Sequence, residues 1–127
     1  MHTITLPQKR LGKEVSVTCV ASVGESRLLV VCRAEQSYIM DFQGEIRLQF
    51  SSESRYGDFV EGVISTHQRF VYFISEKGFL LSFDALSARF EDAVQVSTRE
   101  LYGIRSHPSQ NKIAIVGADG YIYCLDS

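Results

Sequence analysis

The sequence predicts an all-β chain organised as blades of a β-propeller, and three observations lead to that class. The first is self-similarity. The segments Val17-Thr18-Cys19-Val20-Ala21-Ser22, Val60-Glu61-Gly62-Val63-Ile64-Ser65 and Leu101-Tyr102-Gly103-Ile104-Arg105-Ser106 share one pattern, and each precedes a polar turn and two apolar runs. Aligned at Cys19, Gly62 and Gly103 the steps are 43 and 41 residues; aligned at Ser37, Gly78 and Gly120 they are 41 and 42. The second is the run Phe70-Val71-Tyr72-Phe73-Ile74, apolar at every position, as in a strand covered on both faces. The third is Ile46-Arg47-Leu48-Gln49-Phe50, which alternates strictly and so describes a strand with one wet face. Sheets that are covered on both faces at the centre and wet at the rim are what stacked four-stranded blades require.

Taken in order, His2 to Leu6 alternates about Ile4 and Leu6 and reads as the outer strand of a preceding or partner blade (residues 2–6). Blade one covers 15–52, with apolar runs at Leu28–Cys32 and Tyr38–Phe42 before the alternating outer strand. Blade two covers 58–98, with runs at Phe70–Ile74 and Phe79–Phe83. Blade three covers 99–127, with runs at Ile113–Val116 and Tyr121–Leu125 and no outer strand. Helical periodicity is absent. The period of about 40–45 residues is that of WD40-type repeats. Three blades do not close a ring, so the chain is expected to be a partial propeller or half of an oligomeric one. Two chains exchanging residues 2–6 would make a six-bladed homodimer; the rival is completion by other propeller blades.

Composition narrows the function classes. At 127 residues the chain holds one domain with room for a core. Thirteen Lys plus Arg against fifteen Asp plus Glu leaves a charge of −2, without the basic stripe of a nucleic-acid binder, so no direct nucleic-acid binding is indicated. No apolar stretch is long enough to span a bilayer, and Met1 to Thr5 lacks the charged start and apolar block of a signal peptide. Cys19, Cys32 and Cys124 are odd in number and widely spaced, which suits small apolar residues in a reducing, intracellular compartment.

The search for chemistry finds little. His2, His67 and His107 are scattered and read as terminal and turn residues, so no metal or cofactor is expected. Ser106 beside His107 has no orienting acid, and Glu91-Asp92 reads as a solvated pair near an outer strand. No glycine-rich phosphate motif occurs. What remains is binding through the loops that share one face of a propeller. Arg55 and Tyr56, with Ser54 before them, and Arg99 and Glu100 lie in loops that join one blade to the next. Glu35-Gln36 and Glu76-Lys77 lie in loops that join second to third strands. Arg and Tyr are enriched at interfaces, so Arg55 and Tyr56 lead the candidates, followed by Glu76, Lys77, Arg99 and Glu100. As exposed loop residues, Arg55 and Tyr56 are expected to tolerate alanine with little loss of stability. The expected function is a non-catalytic protein-interaction scaffold with protein partners. The alternative is a small-ligand-binding or enzymatic propeller fragment whose site another chain completes.

A more specific resemblance rests on runs of residues. Val31-Cys32, Tyr38-Ile39-Met40, Gln43-Gly44-Glu45-Ile46-Arg47 and Phe50-Ser51-Ser52 resemble the fifth blade of the Smu-type spliceosomal WD-repeat family. Gly57-Asp58-Phe59-Val60 resembles the start of its sixth blade. Tyr102-Gly103-Ile104, His107-Pro108, Gln110-Asn111, Ile113-Ala114 and Asp119-Gly120 resemble its seventh. The resemblance covers Val17 to Leu125 and implies a nuclear pre-mRNA splicing scaffold with spliceosomal protein partners. The chain departs from the family pattern in having no tryptophan: Phe83-Asp84 and Leu125-Asp126 stand where the repeat has Trp-Asp. The loop before the third blade carries Val96-Ser97-Thr98 where such repeats often place a histidine. Asp119 is therefore read as the turn residue of an Asp-Gly hairpin.

Overall fold

The computed structural model describes residues 1–127 apart from Gly24, Ala34, Glu35, Thr66, Pro108 and Ser127. Glu35, Pro108 and Ser127, each used in the sequence reading, thus lie outside the described residues. The first sheet holds β1 (Val17–Val23), β2 (Arg27–Cys32), β3 (Gln36–Asp41) and β4 (Ile46–Ser51). The second holds β5 (Phe59–Ile64), β6 (Phe70–Ser75), β7 (Phe79–Asp84) and β8 (Arg89–Gln95). The third holds β9 (Leu101–Ser106), β10 (Lys112–Gly117) and β11 (Ile122–Asp126). Strands pair antiparallel with their sequence neighbours throughout, and the all-β class of WD40-type blades expected from the sequence is the one observed.

Alternation along each strand decides what lies between the sheets. Leu29, Val31, Ile39 and Phe50 of the first sheet meet Phe59, Val71, Phe73, Leu81 and Phe83 of the second. The opposite face of the second sheet, Tyr72, Ile74 and Leu80, meets Leu101, Ile104, Ile113 and Ile115 of the third. Phe73 is fully buried, stacks on Phe59 at 4.3 Å between ring centroids and lies 5.0 Å from Phe50. By contrast β8 is exposed along most of its length and β4 along alternate residues, since each is the rim of its blade.

The hydrogen-bond register refines the repeat. Cys19 pairs with Val31, Glu61 with Ile74 and Gly103 with Val116, so these three residues are equivalent, and Gly62 is not the counterpart of Gly103. Each first strand carries a β-bulge at the same place, leaving Thr18, Val60 and Tyr102 without a cross-strand partner. The structural period along the first strands is therefore 42 in both steps, from 18 to 60 to 102.

Residues 1–6 correct one expectation: they form no strand. Pro7 follows and opens a short helix, α1 (Pro7–Arg10), which the absence of helical periodicity did not anticipate. The segment folds back on its own first sheet instead. Ile4, Leu6 and Val15 pack on Leu28, Val30, Cys32, Tyr38 and Met40, the face turned away from the second sheet. The alternation of Ile4 and Leu6 reflects burial on that face rather than strand pairing; burying two aliphatic side chains outweighs leaving them wet.

Candidate interaction face

The loops that follow β2, β4, β6 and β8 meet on one side of the blades. Their centre is Arg33, directly after β2. Its guanidinium donates to a carboxylate oxygen of Glu100, in the loop after β8, and lies 3.9 Å from Glu76 Oε2, in the loop after β6. Glu76 Oε1 accepts the backbone N–H of Asp58 at 3.1 Å, and Lys77 Nζ donates to the Ser54 carbonyl at 2.8 Å. Gly57 is left-handed at φ +76°, and its α-carbon lies so close to Glu76 and Lys77 that a side chain there would strike both. The loop after β8 is tied on by Val96 N–H to the Gly78 carbonyl at 2.9 Å, and Ala118 N–H closes on the Glu100 carbonyl at 3.0 Å. Arg33, Glu76 and Glu100 thus link loops of all three blades, with a depression of about 540 Å³ beside them lined by Ser54, Asp58, Glu76 and Lys77.

Four of the six candidate residues are placed around this face, and two turn elsewhere. Glu76 and Glu100 share Arg33, Lys77 sits beside them, and Arg99 follows Ser97, whose hydroxyl accepts the Arg99 N–H. Arg55 and Tyr56 instead line a groove of about 230 Å³ on the flank, with Phe90, Glu91 and Asp92 of β8. Arg55 pairs with Glu53 at 2.7 Å and lies 4.7 Å over the Tyr56 ring. Tyr56 is half-buried, edge-on to Phe79 at 4.9 Å, and packs against the core between the first two sheets. It is therefore not the freely exposed residue that its loop position suggested. Arg33 was missed because its two acidic partners lie 43 and 67 residues away. The one signal for it in sequence is that it opens the same kind of loop as Glu76-Lys77.

The turn residues have defined roles. His67 Nδ1 accepts the Arg69 N–H at 3.2 Å, and His107 Nδ1 accepts the Ser109 and Gln110 N–H groups at 3.1 and 3.0 Å. Asp119 does more than turn the chain: it accepts the Tyr121 N–H at 3.1 Å and the Tyr123 hydroxyl. Those donors hold its carboxyl below the usual carboxylate range, the Tyr123 hydroxyl foremost. Among the described residues no three His, Cys, Asp or Glu side chains are grouped to hold a metal ion, and no helix is long and apolar enough to cross a membrane.

No protein-family model matches the chain. It is similar to the WD40 repeat-containing protein smu1 of Dictyostelium discoideum, at 25% identity over 121 residues, which is 94% of this chain and 23% of that protein. The relationship is that of a weak homologue, and the chain spans less than a quarter of the length of the curated relative it matches.

Proposed function

We propose that this chain, a weak homologue of a WD40-repeat protein folded as three WD-type blades, is a non-catalytic interaction scaffold that presents its loop face to protein partners. The observation that carries this reading is the Arg33 cluster. One guanidinium holds acidic side chains from the loops after β6 and β8, so a polar surface spanning three blades is set in one arrangement before any partner arrives. Preorganised polar groups lose less side-chain entropy on binding than free ones. Likeness to a relative named for its WD40 repeats supports the scaffold class, and the Smu-type resemblance extends it to nuclear, spliceosomal protein partners. Completion of the open arc by a second copy, or by further blades, belongs to the same reading.

The test is capture from nuclear extract on the immobilised chain, with proteins identified by mass spectrometry. Splicing proteins should be retained by the wild type and lost with Arg33→Ala combined with Glu76→Ala, at unchanged far-ultraviolet circular dichroism. Retention of the same proteins by the double variant would reject the loop face as the binding surface. Recovery of no splicing protein would reject the spliceosomal version alone. Arg55→Ala reads the flank groove separately and should change stability by less than about 0.5 kcal/mol.

A further inference from the structure

The two ends of the blade stack are treated differently. At the far end, the outward face of the third sheet carries Ala114, Val116, Ile122 and Cys124. Register makes these the counterparts of Leu29, Val31, Ser37 and Ile39 in the first sheet and of Tyr72, Ile74, Leu80 and Ser82 in the second. Leu29, Val31 and Ser37 are fully buried by the next sheet, whereas Ile122 is 70% exposed and Val116 41%. At the near end, the equivalent outward face of the first sheet is covered by the chain's own residues 4–15.

That cover is incomplete and weakly fastened. It buries Val30, Cys32, Tyr38 and Met40 but leaves Val17 and Val20 of the first strand about half exposed. Gln8 is buried with its Oε1 lacking a partner among the described residues. A gap of about 260 Å³ remains between α1 and the strands beneath, lined by Gln8, Leu11, Tyr38 and Gln49. Among the described residues, Gln8 Nε2 donates to the Gln36 carbonyl of the sheet at 3.3 Å, and His2, just ahead of the segment, bonds through Nε2 to the Phe42 carbonyl after β3 at 2.8 Å.

We propose that residues 4–15 are a releasable stand-in for a preceding blade, and that the face beneath them receives the open third-sheet face of a second copy. This rests on the reading that a second copy completes the arc, and adds what controls it. The chain's own two junctions show which faces match. Val31 and Ile39 lie against Val71, Phe73 and Leu81, and Tyr72, Ile74 and Leu80 lie against Ile113 and Ile115. Val30, Tyr38 and Met40 hold, by register, the positions of Phe73, Leu81 and Phe83, and are equally apolar. A head-to-tail contact of this kind closes when the blades complete a turn, and two copies supply six blades, within the range of closed propellers. The segment competes for the same surface, so its release and the arrival of the second copy are one equilibrium.

Sedimentation velocity and maleimide labelling of the full chain test this. Leu6→Asp puts a carboxylate into the apolar contact of the segment and should tighten dimer formation by about tenfold or more, the scale set by one competing buried leucine. Adding Ile122→Asp on the exposed third-sheet face should abolish the gain. No tightening in Leu6→Asp, or tightening that survives Ile122→Asp, overturns the proposal. A variant-free measurement covers the case in which Leu6→Asp fails to fold. As wild-type concentration rises, labelling of exposed Cys124 should slow while the amides of Gly12 and Lys13, bonded within the segment, lose protection from exchange. Protection of Cys124 with the segment amides unchanged, or no concentration-dependent protection of Cys124, overturns it as well. Failure here leaves the loop-face reading standing, because that test changes Arg33 and Glu76, not Leu6 or Ile122.

Discussion

Asp84 is a carboxylate that folding takes almost entirely out of water. Its side chain is almost wholly buried at the end of β7, where Arg69 donates to both carboxylate oxygens, at 3.3 and 3.1 Å, and Leu86 N–H donates at 2.9 Å. Hydrogen bonding from Arg69 is the largest cause that lowers its pKa from 3.8 to about 2, against the opposing effect of burial. A depressed folded-state value means stability that is present above pH 3.8 and is lost as pH falls toward 2. The urea midpoint should therefore drop between pH 4 and 2, and Asp84→Asn should shrink that drop. An equal drop in the variant would assign acid sensitivity to other carboxylates. Phe73 and Leu48 give a second contrast at this scale. Phe73→Ala removes a ring enclosed by Phe50 and Phe59 and should cost about 3–5 kcal/mol. Leu48→Ala, on the half-wet β4, should cost about 1–2 kcal/mol. Equal losses in chemical denaturation would contradict the inner and rim assignment of those strands.

Among the elements, the turn joining β6 to β7 is pressed against the loop after β8. Gly78 is left-handed at φ +88°, and a β-carbon there would lie 1.9 Å from the Ser97 carbonyl oxygen. The close approach lets Val96 and Ser97 N–H reach the Gly78 carbonyl, which fixes the loop after β8 to this turn. Gly120, in the corresponding turn of the third sheet, has φ +81° but nothing within 4 Å. Gly120→Ala should thus cost about 1–2 kcal/mol, the left-handed penalty alone. Gly78→Ala adds a backbone clash and should cost more than about 3 kcal/mol. Thermal denaturation of the two variants side by side measures the difference, and similar midpoints would mean the loop after β8 moves freely. The bulges belong to this scale as well. The bulge recurs at Thr18, Val60 and Tyr102 and so leaves the period unchanged, but glycine identity suggested aligning Gly62 with Gly103, whereas the ladder pairs Glu61 with Ile74 and Gly103 with Val116. Residue identity is no marker of ladder position, because either of two adjacent strand positions can carry a glycine.

For the molecule as a whole, cohesion passes from blade to blade along the first strands. Cys19 Sγ approaches the Gly62 carbonyl at 3.7 Å, Thr18 Oγ1 donates to the Val60 carbonyl at 2.8 Å, and Glu61 Oε1 accepts the Ile104 N–H at 3.1 Å. Among the described residues the core of each sheet packs on its sequence neighbours, so the two junctions add nearly independently. Glu61→Ala leaves the Ile104 N–H without its acceptor and should cost about 1–3 kcal/mol. Glu61→Gln, which keeps an acceptor oxygen, should cost less. Amide exchange at Ile104 should accelerate in the alanine variant and much less in the glutamine variant; equal acceleration in both would tie the junction to the charge shared with Arg105.

Strand existence, the repeat and the distinction between buried and rim strands are local properties. They rest on which residues alternate and which do not, and a pattern such as Phe70 to Ile74 carries them without knowledge of any neighbour. The equivalence of Ser37, Leu80 and Ile122 needed the cross-strand register, because the hairpin joining the first two strands is one residue shorter in the first blade than in the other two. The meeting of Arg33 with Glu76 and Glu100 needed the stacking of sheets, since charges far apart in the chain become neighbours only when loops of three blades share one side. The place of residues 4–15 was decided by tertiary structure for the same reason. Ile4 and Leu6 carry a demand for burial in their own composition, but whether a strand partner or the bare face of the first sheet meets it depends on which surface is left open.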